Sequence, residues 1–98
     1  MTKTLEEIIK AIKKQKKVLE EKYKVKEIGI FGSYVRGEQN ETSDVDILVE
    51  FKESMGLLKF IEIENYLTDL LGVKVDLVMK DTLKSRIKER ILQEAIPV

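Results

Sequence analysis

The sequence predicts an α/β (α+β) fold in which helices cover a small mixed sheet of three or slightly more strands. Two periodicities support this prediction, because apolar residues at helical spacing alternate along the chain with short apolar runs rich in Val and Ile. The predicted order is helix, strand, short helix, strand, helix, strand, helix. A chain of 98 residues has the length of one domain, so we expect a single domain over residues 1–98.

The first predicted element is one helix from about Thr4 to Lys22. Thr4 and Glu7 have the spacing of a capping box, which favours a helix start at Thr4. Apolar residues then follow at helical spacing, namely Leu5, Ile8, Ile9 and Ile12. The four lysines within residues 13–17 form either a phosphate-binding patch or an ordinary solvated helix face.

Two predicted strands follow, separated by a turn and a polar loop. Val25–Phe31 is the first strand and ends at Gly32, after which residues 33–37 form a tight turn or one short helix. Residues 38–43 are all polar and predict a loop. Asp44–Phe51 is the second predicted strand, and its apolar residues alternate toward one face.

The second half of the chain is predicted to hold a helix, a strand and a final helix. The helix Gly56–Leu71 has a predicted buried side of Leu57, Phe60, Ile61, Leu67, Leu70 and Leu71. Val73–Met79 has high β propensity and is the third predicted strand. Asp81 or Thr82 is expected to cap the last helix, and Pro97 is expected to end it. The apolar stripe of this helix comprises Leu83, Ile87, Ile91 and Ala95.

The composition excludes several classes of chemistry. The chain holds no cysteine and no histidine, which excludes disulfides, thiolate metal sites, the usual zinc ligand and the usual general base. Catalysis would therefore depend on carboxylates, hydroxyls, Lys or Arg. No apolar run approaches about 18 residues, and Met1 leads directly into a polar helix start. We therefore expect a cytoplasmic protein without a membrane span or signal peptide.

The charges of the chain balance but are unevenly distributed. The net charge of zero argues against a dedicated nucleic-acid-binding protein. Residues 1–26 hold nine Lys and four Glu, whereas residues 27–53 hold seven acidic residues and only two basic ones, Arg36 and Lys52. The excess of carboxylates in the middle of the chain favours binding of a divalent cation there.

Three aspartates lie in predicted strands, although aspartate is a poor strand former. Asp44 and Asp46 share a strand face, so their Cβ atoms are expected about 6–7 Å apart. Both carboxylates could converge on one Mg²⁺ or on two metal ions about 3.5–4 Å apart. Asp76 interrupts the third strand in the same way. From the residues alone, a metal site and a solvated acidic strand face both explain this pattern.

The Gly32-Ser33 pair at the end of the first strand could offer backbone N–H groups and a hydroxyl to phosphate oxygens, although many simple turns contain such a pair. Arg36 either contacts phosphate or pairs with Glu38 or Glu41. Other phosphate sites are excluded, because no Lys-Ser/Thr follows the last glycine as a P-loop requires, and G-x-G-x-x-G is absent. The lack of His and Cys also excludes nucleophile triads.

Together these motifs resemble the signature of the DNA polymerase β-like nucleotidyltransferase superfamily. Gly32-Ser33, ten intervening residues and then Asp44-x-Asp46 match its spacing. The flanking residues 31–38 and 43–49, together with the tail 87–95, are similar to the minimal nucleotidyltransferase branch. The resemblance covers nearly the whole chain and implies the nucleotidyltransferase fold.

The resemblance also implies roles for individual residues. Asp44 and Asp46 would bind two Mg²⁺ ions that carry the nucleoside triphosphate substrate, ATP. Asp76 would complete the metal site and prepare the attacking hydroxyl. Gly32 and Ser33 would hold the β- and γ-phosphates. This chemistry suits a chain without histidine, because two metal ions stabilise the attacking and leaving oxygens electrostatically.

The minimal branch is known for its pairing with HEPN-domain ribonuclease toxins. The resemblance implies that this chain is an antitoxin that transfers AMP from ATP to a tyrosine hydroxyl of such a toxin. We expect the partner to bring the acceptor, since 98 residues leave no room for a substrate-binding domain. A catalytically silent binding module and transfer to a small molecule such as an aminoglycoside stay open as alternatives. We expect no direct contact with nucleic acid or membranes.

Overall fold

Four strands form one mixed sheet in the computed structural model, which describes residues 3–98. The strands are β1 (Val25–Phe31), β2 (Val45–Phe51), β3 (Val75–Met79) and β4 (Ile96–Pro97). Their order across the sheet is β3-β2-β1-β4, with β1 antiparallel to β2 and β4, and β2 parallel to β3. The predicted α/β class and mixed sheet are confirmed, although β2 and β3 begin one and two residues later than predicted.

Five α-helices accompany the sheet within residues 3–98. They are α1 (Leu5–Lys14), α2 (Lys16–Lys22), α3 (Ser33–Arg36), α4 (Leu57–Leu71) and α5 (Ser85–Glu94). The predicted capping box begins α1, since the Glu7 N–H donates to Thr4 Oγ1 at 3.2 Å and the Thr4 N–H donates to Glu7 Oε1 at 3.1 Å. In this described part of the chain, no helix is long and apolar enough to cross a membrane.

The prediction of one unbroken N-terminal helix is wrong at Gln15. This residue leaves the helix with φ −106° and ψ 7°, and so separates α1 from α2. Its side-chain Oε1 accepts a hydrogen bond from the Tyr66 hydroxyl of α4 at 3.0 Å. Ile12 before the break and Leu19 after it are both fully buried. The break therefore keeps apolar residues of both helices in the core, where periodicity alone suggested one straight helix.

The core lies between one face of the sheet, the inner face, and α1, α2 and α4. The predicted buried side of α4 is partly wrong, because Ile63, Leu67 and Leu71 are the buried residues, whereas Leu57 is 72% exposed and Ile61 41% exposed. Ile61 precedes Ile63 by two positions and so points about 200° away from it around the helix. The buried stripe at i, i+4 spacing therefore leaves Ile61 outside.

Helix α5 lies over the opposite face of the sheet, the outer face. The expected cap at Asp81 or Thr82 is wrong, because Lys80–Thr82 form a separate 3₁₀ helix and Thr82 Oγ1 donates to the Met79 carbonyl at 2.8 Å. The next two residues are extended, and α5 begins only at Ser85. No residue of α5 is fully buried. The helix therefore covers the outer face without joining the core.

The chain after α5 forms β4, whereas Pro97 was expected to end the last helix. Ile96 and Pro97 pair with β1, and the Val98 N–H donates to the Ile28 carbonyl at 2.9 Å. Proline is tolerated there because β4 is an edge strand. A strand of two residues is too short to show an alternating pattern in the sequence. The pairing of β4 with β1 therefore holds the end of α5, which is Glu94, beside β1.

Strand β3 is the other edge of the sheet and is fastened to α4. The Val75 N–H donates to Thr68 Oγ1 at 3.1 Å, and the Leu77 N–H donates to Glu64 Oε2 at 3.0 Å. Both strand residues are buried on the inner face. Asp76, between them, therefore points to the outer face, because side chains alternate along a strand.

Candidate active site

Two aspartates lie side by side on the outer face of the sheet. Asp46 of β2 pairs in register with Asp76 of the parallel strand β3. Adjacent strands are about 4.8 Å apart, so the two carboxylates are neighbours. Phe31, the last residue of β1, pairs with Asp46 from the other side. The register thus places Asp76 on the face that the alternation of the sequence predicts.

A cavity of about 440 Å³ separates these residues from α5. Its polar lining consists of Gly32, Arg36, Asp46, Asp76, Arg90 and Glu94. Its apolar lining consists of Phe31, Val78, Leu83, Ile87 and Ile91. The cavity therefore combines acidic side chains with two arginines, which is a suitable environment for an anionic ligand that carries a divalent cation.

Two of the predicted site residues, Ser33 and Asp44, do not line this cavity. Ser33 begins α3, and Asp44 precedes β2 and faces a neighbouring depression that also contains Tyr34. Asp44 nevertheless lies close enough to raise the pKa of Asp46. Within residues 3–98, no group of three acidic side chains is close enough to hold a metal ion without rearrangement. The structure therefore brings together Asp46 and Asp76, with Asp44 at their side.

The carboxyl of Asp46 has a pKa well above its ordinary value. Burial is the largest cause, and the negative charges of Asp76 and Asp44 add to it, raising the pKa from 3.8 to about 6. Glu94 contributes in the same direction, whereas Arg36 opposes it. A bound cation would therefore compensate for the burial of the ionised Asp46 carboxylate and reduce the repulsion among the acids.

Gly32 occupies a backbone conformation that only glycine adopts readily, with φ 81° and ψ −152°. A Cβ atom built on Gly32 would overlap Asp46 Oδ2 and lie 2.9 Å from Asp46 Cγ. The absence of a side chain therefore lets the backbone at the end of β1 lie directly against the Asp46 carboxylate. This close approach is a specific reason for the glycine that the sequence motif contains.

Arg36 lies at the end of α3 and makes two ion pairs. Its Nε donates to Glu38 Oε1 at 2.6 Å, and its Nη1 donates to Glu94 Oε1 at 2.7 Å. The predicted pairing with Glu38 is confirmed, and contact with phosphate stays a prediction. The arginine lines the cavity while its guanidinium is held by two carboxylates.

Glu94 is the site residue that the sequence did not reveal. Its Oε2 accepts a hydrogen bond from the Gly32 N–H at 2.9 Å, across 62 positions of the chain. This bond, followed by that from Arg36, lowers the pKa of Glu94. A weak signal was present, because an acid in the last turn of a helix faces the negative end of the helix dipole and usually has a compensating partner.

Comparison with known proteins identifies the family. A model described as "Nucleotidyltransferase domain" matches residues 12–98. The chain belongs to this family. This nucleotidyltransferase is 59% identical over 95 residues to the protein adenylyltransferase MntA of Thermococcus cleftensis, covering 97% of this chain and 96% of the relative. The family, the fold and the enzyme class that the sequence motif implied are thereby confirmed.

Solved structures share the fold. A structure described as a candidate minimal nucleotidyltransferase is 38% identical with a TM-score of 0.80, and 94% of each chain is covered. A chain from a toxin–antitoxin complex with AMP-PNP is 25% identical with a TM-score of 0.70, covering 94% of this nucleotidyltransferase and 69% of that chain. The agreement extends over nearly the whole nucleotidyltransferase, so the sheet and its helices are a shared framework.

Asp46→Asn should stabilise the metal-free protein at neutral pH and lose this effect in acid. The pKa of Asp46 is raised to about 6, so the folded state binds this proton more tightly than the unfolded chain does. Ionised Asp46 therefore lowers the free energy of unfolding above about pH 6, and this destabilisation disappears as the pH falls from about 6 toward 3.8. In EDTA, we expect Asp46→Asn to raise the Tm by a few degrees near pH 7.5 and to leave it unchanged near pH 4.

Asp69→Asn is the matched control for this experiment, because Asp69 is an exposed acid on α4 away from the site. Its Tm should follow the wild type at both pH values. A Tm gain for Asp46→Asn that is equally large near pH 4 would contradict the raised pKa.

Gly32→Ala should destabilise the protein more than Gly37→Ala does. Both glycines have positive φ, but Gly37, with ψ 22°, is left-handed helical and costs about 1–2 kcal/mol as alanine, whereas Gly32, with ψ −152°, lies in a region that is nearly exclusive to glycine. An added Cβ meets nothing within 4 Å at Gly37, whereas at Gly32 it would displace Asp46. Urea unfolding measures the difference in the free energy of unfolding between the two variants. Equal losses would contradict both the glycine-only backbone conformation of Gly32 and the constraint that its close approach to Asp46 imposes.

Proposed function

We propose that this nucleotidyltransferase transfers AMP from ATP to a hydroxyl of a partner protein and thereby acts as an antitoxin. The expected acceptor is a tyrosine of a HEPN-domain ribonuclease toxin, as the resemblance of the sequence implies. The observation that carries the proposal is the in-register pair of Asp46 and Asp76 in a cavity beside Gly32 and Arg36. The similarity to a named protein adenylyltransferase and to a complex with AMP-PNP supports it.

The chemistry of the donor set fits Mg²⁺. Carboxylate oxygens are the ligands that Mg²⁺ prefers, and Asp46 is a partly buried acid beside Asp76 and Asp44, whose charges a bound cation would offset. Asp46 and Asp76 would hold the ions, and Asp44 would join them from the position just before β2. When bound, Mg²⁺ neutralises phosphate charge and stabilises an in-line displacement. We propose two ions, as in the superfamily that the sequence resembles.

Residues at the end of β1 are proposed to orient the triphosphate. Gly32 and Arg36 both line the cavity, where their N–H and guanidinium groups are bonded to Glu94, and Ser33 follows at the start of α3. N–H groups and guanidinium groups are strong donors to phosphate oxygens. Their position beside Asp46 would place the β- and γ-phosphates next to the carboxylates.

The transfer step forms one bond and breaks one. The acceptor oxygen bonds to the α-phosphorus of ATP, the bond from this phosphorus to the bridging oxygen breaks, and pyrophosphate leaves. Asp76 is exposed at the rim of the site and is the carboxylate proposed to take the proton of the attacking hydroxyl. Because Asp76 is open to solvent, a tyrosine on a second protein can approach it.

Asp76→Asn should abolish most of the transfer while leaving partner binding nearly intact. Loss of a positioned base reduces a rate by about 10²-fold or more, and Asp46→Asn should have an effect at least as large. The assay incubates a HEPN toxin from the same organism with the enzyme, ATP and Mg²⁺, and mass spectrometry measures the addition of AMP. Asp69→Asn, with the same change of charge on α4, should keep the wild-type rate.

The same incubation, with the ribonuclease activity of the toxin as a second readout, separates the enzyme from a silent binding module. A wild-type protein that blocks its partner without modifying it would favour neutralisation by contact. Transfer by Asp46→Asn and Asp76→Asn at the wild-type rate would contradict the assignment of the two acids.

A further inference from the structure

The carboxylate of Glu94 already occupies the donors that the proposed function assigns to phosphate. Its Oε2 accepts the hydrogen bond of the Gly32 N–H at 2.9 Å, and its Oε1 accepts that of Arg36 Nη1 at 2.7 Å. A carboxylate and a phosphate both present negatively charged oxygens to such donors. Glu94 therefore lies where an oxygen of a bound triphosphate would be expected.

Glu94 and a phosphate oxygen cannot both use these donors fully. The Gly32 N–H carries one hydrogen, and Glu94 already receives it. Glu94 also adds negative charge to the cavity that Asp46 and Asp76 line. A triphosphate entering the cavity would meet both competition for its donors and electrostatic repulsion until Glu94 moves away.

The helix that carries Glu94 is attached in a way that permits such a movement. No residue of α5 is fully buried, and Ile87 and Leu92 are 50% and 41% exposed. Beyond α5, Ile96 and Pro97 pair with β1, and the buried Val98 donates its N–H to the Ile28 carbonyl. Segments with few buried apolar contacts open at low free energy. The two hydrogen bonds of Glu94 therefore hold the last turn of α5 at the site together with the pairing of β4, and the exposed turns of α5 before it are the part that can open.

We propose that Glu94 is an internal competitor that occupies the phosphate donors in the free enzyme and is displaced by the phosphates of ATP. The proposal rests on the proposed function, because it assumes that Gly32 and Arg36 bind phosphate. In the free enzyme the Glu94 carboxylate closes the end of α5 over the cavity. Nucleotide binding releases this contact, so occupancy of the site is coupled to the position of α5.

The opposite role for Glu94 predicts the opposite result. If Glu94 only supported Arg36 in a geometry suited to phosphate, its neutralisation would weaken nucleotide binding. If it competes, its neutralisation strengthens binding, because the apparent Kd equals the intrinsic Kd divided by the fraction of the protein that is competent to bind. The sign of the change in Kd therefore distinguishes a competitor from a support.

The experiment measures the affinity of AMP-PNP with Mg²⁺ by calorimetry for the wild type and Glu94→Gln. We expect Glu94→Gln to bind about three- to tenfold more tightly, which corresponds to a contact closed about 70–90% of the time in the wild type. Glu89→Gln is the matched control, since Glu89 is an exposed acid on the same helix. The Glu89→Gln variant makes the same change of charge and should leave the Kd of AMP-PNP near the wild-type value.

Hydrogen exchange of the wild type tests the coupling without any variant. On addition of AMP-PNP and Mg²⁺, the amides at the end of α5 should exchange faster, because the contacts of Glu94 with Gly32 and Arg36 are lost. In Glu94→Gln the same amides should already exchange faster before nucleotide is added. Unchanged or slower exchange at the end of α5 in nucleotide-bound wild type would overturn the proposal, whether or not Glu94→Gln folds.

The failure of this proposal and the failure of the proposed function are distinguishable. If the wild type transfers AMP while Glu94→Gln binds AMP-PNP as weakly as the wild type or more weakly, Glu94 is not a competitor and the proposed function stands. If Glu89→Gln strengthens binding as much as Glu94→Gln, net charge explains the effect and the competitor is also rejected. If the wild type neither binds AMP-PNP nor transfers AMP, both proposals fall.

Discussion

In-register pairing of the parallel strands β2 and β3 holds Asp46 beside Asp76. The rest of the site depends on the negative charge that these two carboxylates concentrate there. The register is strongly specified because Ile47 and Leu77 are buried on the other face of the same strands. A slip by one residue would turn an acid into the core. The apolar core thus fixes a repulsive acidic pair on the outer face, and the raised pKa of Asp46 records the cost.

The acidic pair could be predicted from the sequence because it depends on local alternation. The pattern of residues 45–51 assigns Asp46 to one face, and the apolar residues on either side of Asp76 do the same for β3. The contact between Gly32 and Glu94 could not be predicted, since it spans 62 positions and no local pattern marks it. The break at Gln15 also depends on a partner in another element, the Tyr66 hydroxyl.

The proposed chemistry of the site depends on carboxylates, arginines and bound cations, in a chain that contains no histidine. Its acidic groups, Asp44, Asp46, Asp76 and Glu94, outnumber the two arginines of the cavity, Arg36 and Arg90. This excess of negative charge disfavours binding of a free triphosphate and favours binding of a triphosphate that carries divalent cations. Helix α5 contributes to this balance through Glu94, although the helix adds no fully buried residue to the core.

An edge strand with free N–H groups is a template on which another chain can add a strand and begin an aggregate. In β3, the N–H groups of Val75 and Leu77 are instead bonded to Thr68 and Glu64 of α4. An incoming strand would have to displace these side chains before it could pair at those positions. The hydrogen bonds that position Asp76 therefore also protect this edge of the sheet against edge-to-edge self-association.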